Sequence, residues 1–100
     1  MPAKDLRFVV IHHPGPKWAT DVPPFQQDGL QLHIDHYRTM FADGRLALGG
    51  PFFGPGAVGM MIPEGGVTRE EMEAFAAADP AVQAGLLTFE VREWLVGMKK

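Results

Sequence analysis

The hydrophobic periodicity of this chain changes between two and about 3.6 residues in one fixed order, and that order limits the folds available to it. Short apolar runs bounded by Gly and Pro predict strands at residues 6–13, 45–51, 57–62 and 86–95. Apolar residues at helical spacing predict a helix from Leu30 to Asp43 and another from Thr68 to Asp79. Gly44 is expected to end the first helix, and a capping box at Thr68 to Glu71 to begin the second. The predicted order is βαββαβ.

Two helices are too few to cover both faces of a four-stranded sheet, so both are expected on one face. This predicts an α+β, ferredoxin-like fold with an antiparallel sheet. A chain of 100 residues is too short to divide its core, which predicts a single domain, residues 1–100. Val9 and Ile11 keep the helix-free face apolar, so we expect a homodimer packed sheet to sheet, with a higher oligomer left open.

The composition of the chain limits its possible binding partners and its cellular location. Nine Lys and Arg against 12 Asp and Glu give a formal charge of −3, without the basic patch that nucleic-acid binding needs. The apolar run 8–11 is too short for a signal sequence or a membrane span. The chain has no cysteine, which is compatible with a reducing compartment. We therefore expect a cytoplasmic protein with no nucleic-acid partner and no membrane association.

His33 is the first candidate for chemistry. On a helical projection it lies about 60° from the predicted apolar stripe of Leu30, Ile34, Tyr37 and Phe41. At such a border an imidazole near a carboxylate is suited to acid or base catalysis. The alternative is a structural histidine bonded to a backbone carbonyl at the edge of the core. His36 falls on the more solvated flank and is expected at the surface or at the rim.

Asp79 is the second candidate, because it lies nearly in line with the apolar stripe of the second helix. A carboxylate directed inward must be paired, either with a cation such as a protonated His33 or with backbone amides. The following Pro80 also makes Asp79 a helix N-cap followed by proline at N1. Capping alone and capping combined with an active-site role both remain open.

The remaining candidates concern ligands. His33 and His36, together with His12 and His13, could gather four imidazoles around a metal, but no further ligand spacing supports this, and we expect no metal and no cofactor. We expect His12, Gly50 and Pro51 to contact substrate, although a bulge also explains the glycine. The loop 14–29 carries four prolines and is expected to form an ordered flap anchored by Trp18 and Phe25.

Two stretches of the sequence resemble a known protein family. The stretch from His33 to Pro51, "HIDHYRTMFADGRLALGGP", followed by "AADPAVQAGLLTFEVREW" at 77–94, resembles the YCII-related domain family over nearly the whole chain. The resemblance implies a dimeric α+β barrel in which His33 and Asp79 form a dyad in a cleft lined by the sheet. One relative in that family resembles a dehydrochlorinase of a chlorinated hydroxyquinol, which implies proton removal from a small ring.

Two functions follow as hypotheses. In the first, the protein is a lyase-like or isomerase-like enzyme in which His33 is the general acid or base and Asp79 fixes its tautomer. In the second, the same fold is a non-catalytic module that binds a metabolite or mediates dimerisation. An imidazole nitrogen that faces an open pocket while the ring bonds Asp79 favours the enzyme. An imidazole with both nitrogens bonded to backbone favours the module.

Overall fold

The computed structural model describes residues 4–100 and contains the four predicted strands and both predicted helices. The strands are β1 (Leu6–Pro14), β2 (Leu46–Pro51), β3 (Gly59–Pro63) and β4 (Leu87–Leu95). The helices are α1 (Leu30–Ala42), α2 (Arg69–Ala77) and a single turn, α3 (Pro80–Gln83). All strand pairs are antiparallel in the order β2-β3-β1-β4. The predicted α+β, ferredoxin-like class is confirmed. Within the described range, every helix is too short or too polar to cross a bilayer.

The register of the central strand separates the two faces of the sheet. Val10 lies opposite Met61 on β3 and Val91 on β4, and these side chains join the core under the helices. His12 shares that face because strand residues alternate. Val9 and Ile11 point to the helix-free face, as predicted. The core cluster on the helix side contains Val10, Tyr37, Met40, Leu46, Met61, Val67, Met72 and Ala76.

Helix α1 begins after Gly29 and ends before Gly44, whose φ of 88° is the left-handed conformation predicted for it. Its buried residues are Leu30, His33, Tyr37 and Met40. The prediction that Phe41 belongs to the buried stripe is wrong, since Phe41 is 61% exposed. Met40 faces the sheet in its place. This rotates the buried side of the helix toward His33, which lies inside the protein rather than at its border.

Helix α2 and the single turn α3 are separated where proline follows Asp79. The Thr68 hydroxyl accepts a hydrogen bond from the Glu71 amide at 3.1 Å, as the capping box predicts. Helix α2 ends at Ala77, slightly earlier than predicted, and Asp79 then caps α3 with an extended backbone. Proline at N1 has a fixed φ and no N–H, so it starts this turn without losing a hydrogen bond.

The segment between β1 and α1 is an ordered flap, as predicted, but only one of its two predicted aromatic anchors packs against the core. Trp18 is half-buried against the cluster around Leu30. Phe25 is 67% exposed in a single 3-10 turn, so its prediction as an anchor is wrong. The buried Gln27 side chain holds the flap instead, bonding both backbone groups of Ala19 and the carbonyl of Val22. A buried amide that satisfies three backbone groups fixes a loop better than an apolar ring does.

Candidate active site

His33 and Asp79 meet beneath the two helices. The Nδ1 atom of His33 lies 2.5 Å from Oδ2 of Asp79, and the two residues are 5% and 0% exposed. The other carboxylate oxygen, Oδ1, accepts the Ala81 amide at 2.9 Å. Asp79 therefore both caps α3 and pairs with His33, so capping is not its only interaction.

The protonation of the pair follows from its hydrogen bonds. Burial by itself would raise the pKa of the Asp79 carboxyl, but the hydrogen bond and charge of His33, with the Ala81 amide, outweigh it and hold the pKa below its usual value. A carboxylate only accepts hydrogen bonds, so Nδ1 of His33 carries a proton and donates it. In the neutral ring the Nε2 atom then holds a lone pair.

The Nε2 atom of His33 faces open space. It has no hydrogen-bond partner among residues 4–100, yet it is not an unsatisfied buried atom. His33 also lines a cavity of about 330 Å³ between α1, the β2–β3 hairpin and the flap. The lone pair of Nε2 is therefore accessible to a molecule in that cavity, as general base catalysis requires.

The cavity wall is almost entirely apolar. Its lining residues are Pro24, Phe25, Leu30, His33, Ile34, Tyr37, Arg38, Phe41, Leu46, Gly49, Gly50, Pro51, Val58, Gly59 and Met61. Its size is at the lower end of the range for small-molecule sites. An apolar wall with few polar groups suits a compact, ring-sized molecule.

The β2 edge contributes Gly50 and Pro51, the two positions predicted to contact substrate, and Gly49 beside them. A Cβ atom at Gly49 would lie 2.6 Å from the Met61 Sδ atom, whereas one at Gly50 would meet nothing within 4 Å. The register explains this difference, because Gly49 pairs with Met61 on the helix side and Gly50 pairs with Met60 on the other. The missing side chain at Gly49 is therefore the one that leaves room on the cavity side.

His12 lies behind the cavity wall. It is 0% exposed and is not among the described lining residues, so the structure does not place it where it was predicted to contact substrate. Its Nδ1 atom donates to the Thr88 carbonyl at 3.2 Å, and its Nε2 atom accepts the Tyr37 hydroxyl at 2.8 Å. Burial, followed by repulsion from His33 whenever that ring is protonated, lowers the pKa of His12 to about 4, so the His12 ring is neutral. The strand pattern placed it on the correct face but could not show the helix above it.

Tyr37 links this buried histidine to the dyad. Its ring packs edge to face against both imidazoles, with centroid separations of 5.5 Å to His12 and 5.2 Å to His33. Burial, followed by the charge of Asp79, raises the pKa of the Tyr37 hydroxyl, so it remains a donor. The sequence identified Tyr37 only as an apolar residue, because helical spacing does not reveal the partner of a hydroxyl.

The four histidines do not gather around one point, so the four-imidazole metal hypothesis is wrong. His13 lies near Glu90 on the helix-free side, and His36 stacks on Phe75 at 4.0 Å and donates to its carbonyl. His36 is thus half-buried between α1 and α2, which agrees with the predicted rim position and not with a fully exposed one. His12, His33 and Asp79 do present possible ligand atoms within 4.8 Å of one another. Most of those atoms are already hydrogen-bonded, which fits a dyad with a supporting histidine better than a metal site.

Comparisons with known proteins support the fold alone. No protein-family model matches this chain, and no curated protein matches it. Among solved structures it is similar to 5-chloro-2-hydroxyhydroquinone dehydrochlorinase from Burkholderia phenoliruptrix AC1100, in complex with 2,5-dihydroxybenzoquinone. The TM-score is 0.50 with 22% identity, over 89% of this chain and 92% of the other. That protein is an enzyme with a related fold.

Proposed function

We propose that this protein is a small-molecule enzyme that moves a proton between its substrate and His33. The observation that carries the proposal is the environment of that imidazole, with Nδ1 bonded to a buried carboxylate and Nε2 open to an apolar cavity. A fully buried histidine with a purely structural role is expected to have both nitrogens bonded by protein. In the same cluster, both ring nitrogens of His12 are hydrogen-bonded to protein groups. The unbonded Nε2 atom therefore distinguishes His33 from its neighbour.

The chemistry follows from the hydrogen-bond directions. The Nε2 lone pair of His33 takes a proton from a substrate in the cavity, and the imidazolium that forms keeps its Nδ1–H bond to Asp79. The buried carboxylate stabilises this charge and holds the ring in one tautomer. Return of the proton to another substrate atom completes an isomerisation, and loss of a leaving group completes an elimination. Such a base contributes about 10² to 10⁴-fold, which suits an activated substrate.

The proposed substrate is a ring-sized molecule with an acidic C–H or O–H group. The cavity volume of about 330 Å³ and its apolar wall support this class. The similar dehydrochlorinase holds a dihydroxybenzoquinone, which has that size. Gly50 and Pro51 are proposed to contact the substrate from the β2 edge. We also propose a cytoplasmic location, supported by a chain without cysteine.

We further propose that the protein forms a homodimer through the helix-free face of its sheet. Leu48 and Trp94 lie on that face at 63% and 44% exposure, beside the buried Val9 and Ile62. Exposed apolar side chains around a sheet with no helix over it are typical of an interaction surface. A second copy of the same face would bury them.

The proton-transfer proposal can be tested without knowing the natural substrate. The probe is 5-nitrobenzisoxazole, a small bicyclic ring from which a base removes the C3 proton as the N–O bond breaks, giving a cyanophenolate that is followed by absorbance. We expect the native chain to turn it over faster than free imidazole does, and His33→Gln to lose about 10² to 10⁴-fold.

The matched control is His36→Gln, on the same helix, where the glutamine amide can still donate to the Phe75 carbonyl. It should keep the native rate. If the native chain binds the probe and turns it over no faster than His33→Gln does, the alternative of a non-catalytic binding module is correct.

A further inference from the structure

We infer that the ligand of this cavity is a small organic acid whose carboxylate is bound by Arg38 while its apolar body extends toward His33. This inference rests on the proposed function, because it assigns a substrate class to the same site. Arg38 lies on α1 and lines the cavity, and most of its side chain is exposed to solvent.

The charges around the cavity favour an anion. Arg38 is the one permanently charged side chain among the described lining residues, and none of those residues is Asp or Glu. Asp79 is 0% exposed and bonded to His33 and Ala81, so its charge does not face the cavity directly. The planar guanidinium fork binds a carboxylate through charge-assisted, bidentate hydrogen bonds, and the apolar wall beside it packs against the rest of the ligand.

The guanidinium of Arg38 is free to take a ligand. Its nearest acid is Asp35 at 3.8 Å, in a pair whose side chains are 72% and 54% exposed. Such an exposed pair contributes little. Arg7 and Arg45 differ, because their side chains donate two and three hydrogen bonds to an aspartate, whereas Arg38 donates none within residues 4–100.

The positions of His33 and Arg38 on the helix set the length of the ligand. Five residues of α-helix place them about 7.5 Å apart along the axis and about 140° apart around it. Ile34 and Tyr37 line the cavity between them, and Phe41 lies at its mouth. A planar ring with a carboxylate at one end and a reactive hydrogen at the other suits a cavity in which His33 and Arg38 lie on different turns of one helix.

Binding of two isosteric probes tests the inference without catalysis. Benzoate carries the charge, and benzamide has the same shape without it, so titrations of both are followed by NMR at low ionic strength. We expect the native chain to bind benzoate at least fivefold more tightly than benzamide. In Arg38→Gln the preference should fall to about one with benzamide binding unchanged. Arg38→Lys should keep part of it, because a lysine lacks the planar fork.

Lys100→Gln, which removes the same charge at the exposed chain end, controls for net charge and should keep the native preference. Equal affinities in the native chain, binding of neither probe, or a preference that survives in Arg38→Gln would each overturn the assignment to Arg38. None of these results depends on proton transfer. Loss of the Arg38 effect with an intact His33-dependent rate therefore removes this inference and leaves the proposed function standing.

Discussion

The Nδ1 atom of His33 lies 2.5 Å from Oδ2 of Asp79, although 46 residues of chain separate them. One residue belongs to α1, and the other begins α3 after the second long helix has ended. Because both helices pack on one face of the sheet, the contact forms only when the two halves of the chain have folded together. A substitution in this pair can therefore lower the free energy of unfolding, the turnover rate or both. The two quantities have to be measured separately.

Replacing Asp79 with asparagine should change the tautomer of His33 and leave the fold in place. The asparagine carbonyl can still accept the Ala81 amide, but its NH₂ group faces Nδ1 and makes that atom an acceptor. The proton then lies on Nε2, and the base facing the cavity is lost. We expect turnover of 5-nitrobenzisoxazole to fall by about 10² to 10⁴-fold and the free energy of unfolding by about 1 to 3 kcal/mol.

The ¹⁵N shifts of His33 and urea unfolding measure these two effects. Asp21→Asn, at an exposed position in the flap, is the control and should change neither. An Asp79→Asn protein that retains the native ¹⁵N pattern and the native rate would contradict the role given to the carboxylate.

Stability should decrease as the pH falls from about 6.5 to 4, because of His12. The folded ring has a pKa of about 4, whereas in the unfolded chain it returns to its usual value of about 6.5. Between these values the unfolded state binds a proton that the folded state excludes, so acid favours unfolding by up to about 1.4 kcal/mol per pH unit. Asp79 adds a further loss at lower pH, since its folded pKa lies below the usual carboxyl value.

Urea unfolding at several pH values, with His12→Gln beside the native chain, tests this dependence. Glutamine does not titrate, so the slope between pH 6.5 and 4 should become shallower even though the protein is less stable throughout. His13→Gln, on the adjacent and partly exposed histidine, should keep the native slope. Parallel slopes for His12→Gln and the native chain would rule out the buried, neutral histidine.

Alanine at Gly49 should disturb the cavity wall, whereas alanine at Gly50 should not. The new methyl group at Gly49 would lie 2.6 Å from the Met61 Sδ atom and force that flexible side chain to move. At Gly50 the methyl group points to the opposite face and meets nothing within 4 Å. The ¹³C-labelled methyl resonance of Met61 reports the difference. We expect it to shift in Gly49→Ala, together with weaker benzamide binding, and to stay in place in Gly50→Ala.

A charge on the helix-free face of the sheet should separate the proposed homodimer. Light scattering should give the native protein twice the mass of one 11.0 kDa chain. Trp94→Glu places a carboxylate on the helix-free face, within the proposed interface, and should yield a monomer. Leu32→Glu alters an equally exposed apolar residue on the outside of α1 and should leave the mass unchanged. A native protein with the mass of one chain would contradict the proposal.

Local patterns were sufficient for the secondary structure and the fold class. Alternation in β4, the Gly44 helix end and the Thr68 cap are effects of residues close together in the chain, so they could be predicted without knowing what packs against them. The pairing of His33 with Asp79 could also be predicted from the sequence. Each lies near the apolar side of its own helix, and the family resemblance named both residues.

The rotation of α1 and the contacts of the site depended on elements far apart in the chain. On the helical projection Phe41 lies within the predicted stripe and Met40 lies about 80° from Leu30, so only packing on the sheet selected Met40 and turned His33 inward. The Tyr37 to His12 hydrogen bond joins α1 to β1, and Arg38 reaches a cavity whose other wall is β2. Hydrogen bonds and cavities between distant segments leave no periodic trace in a sequence, so they become visible only when the segments are packed together.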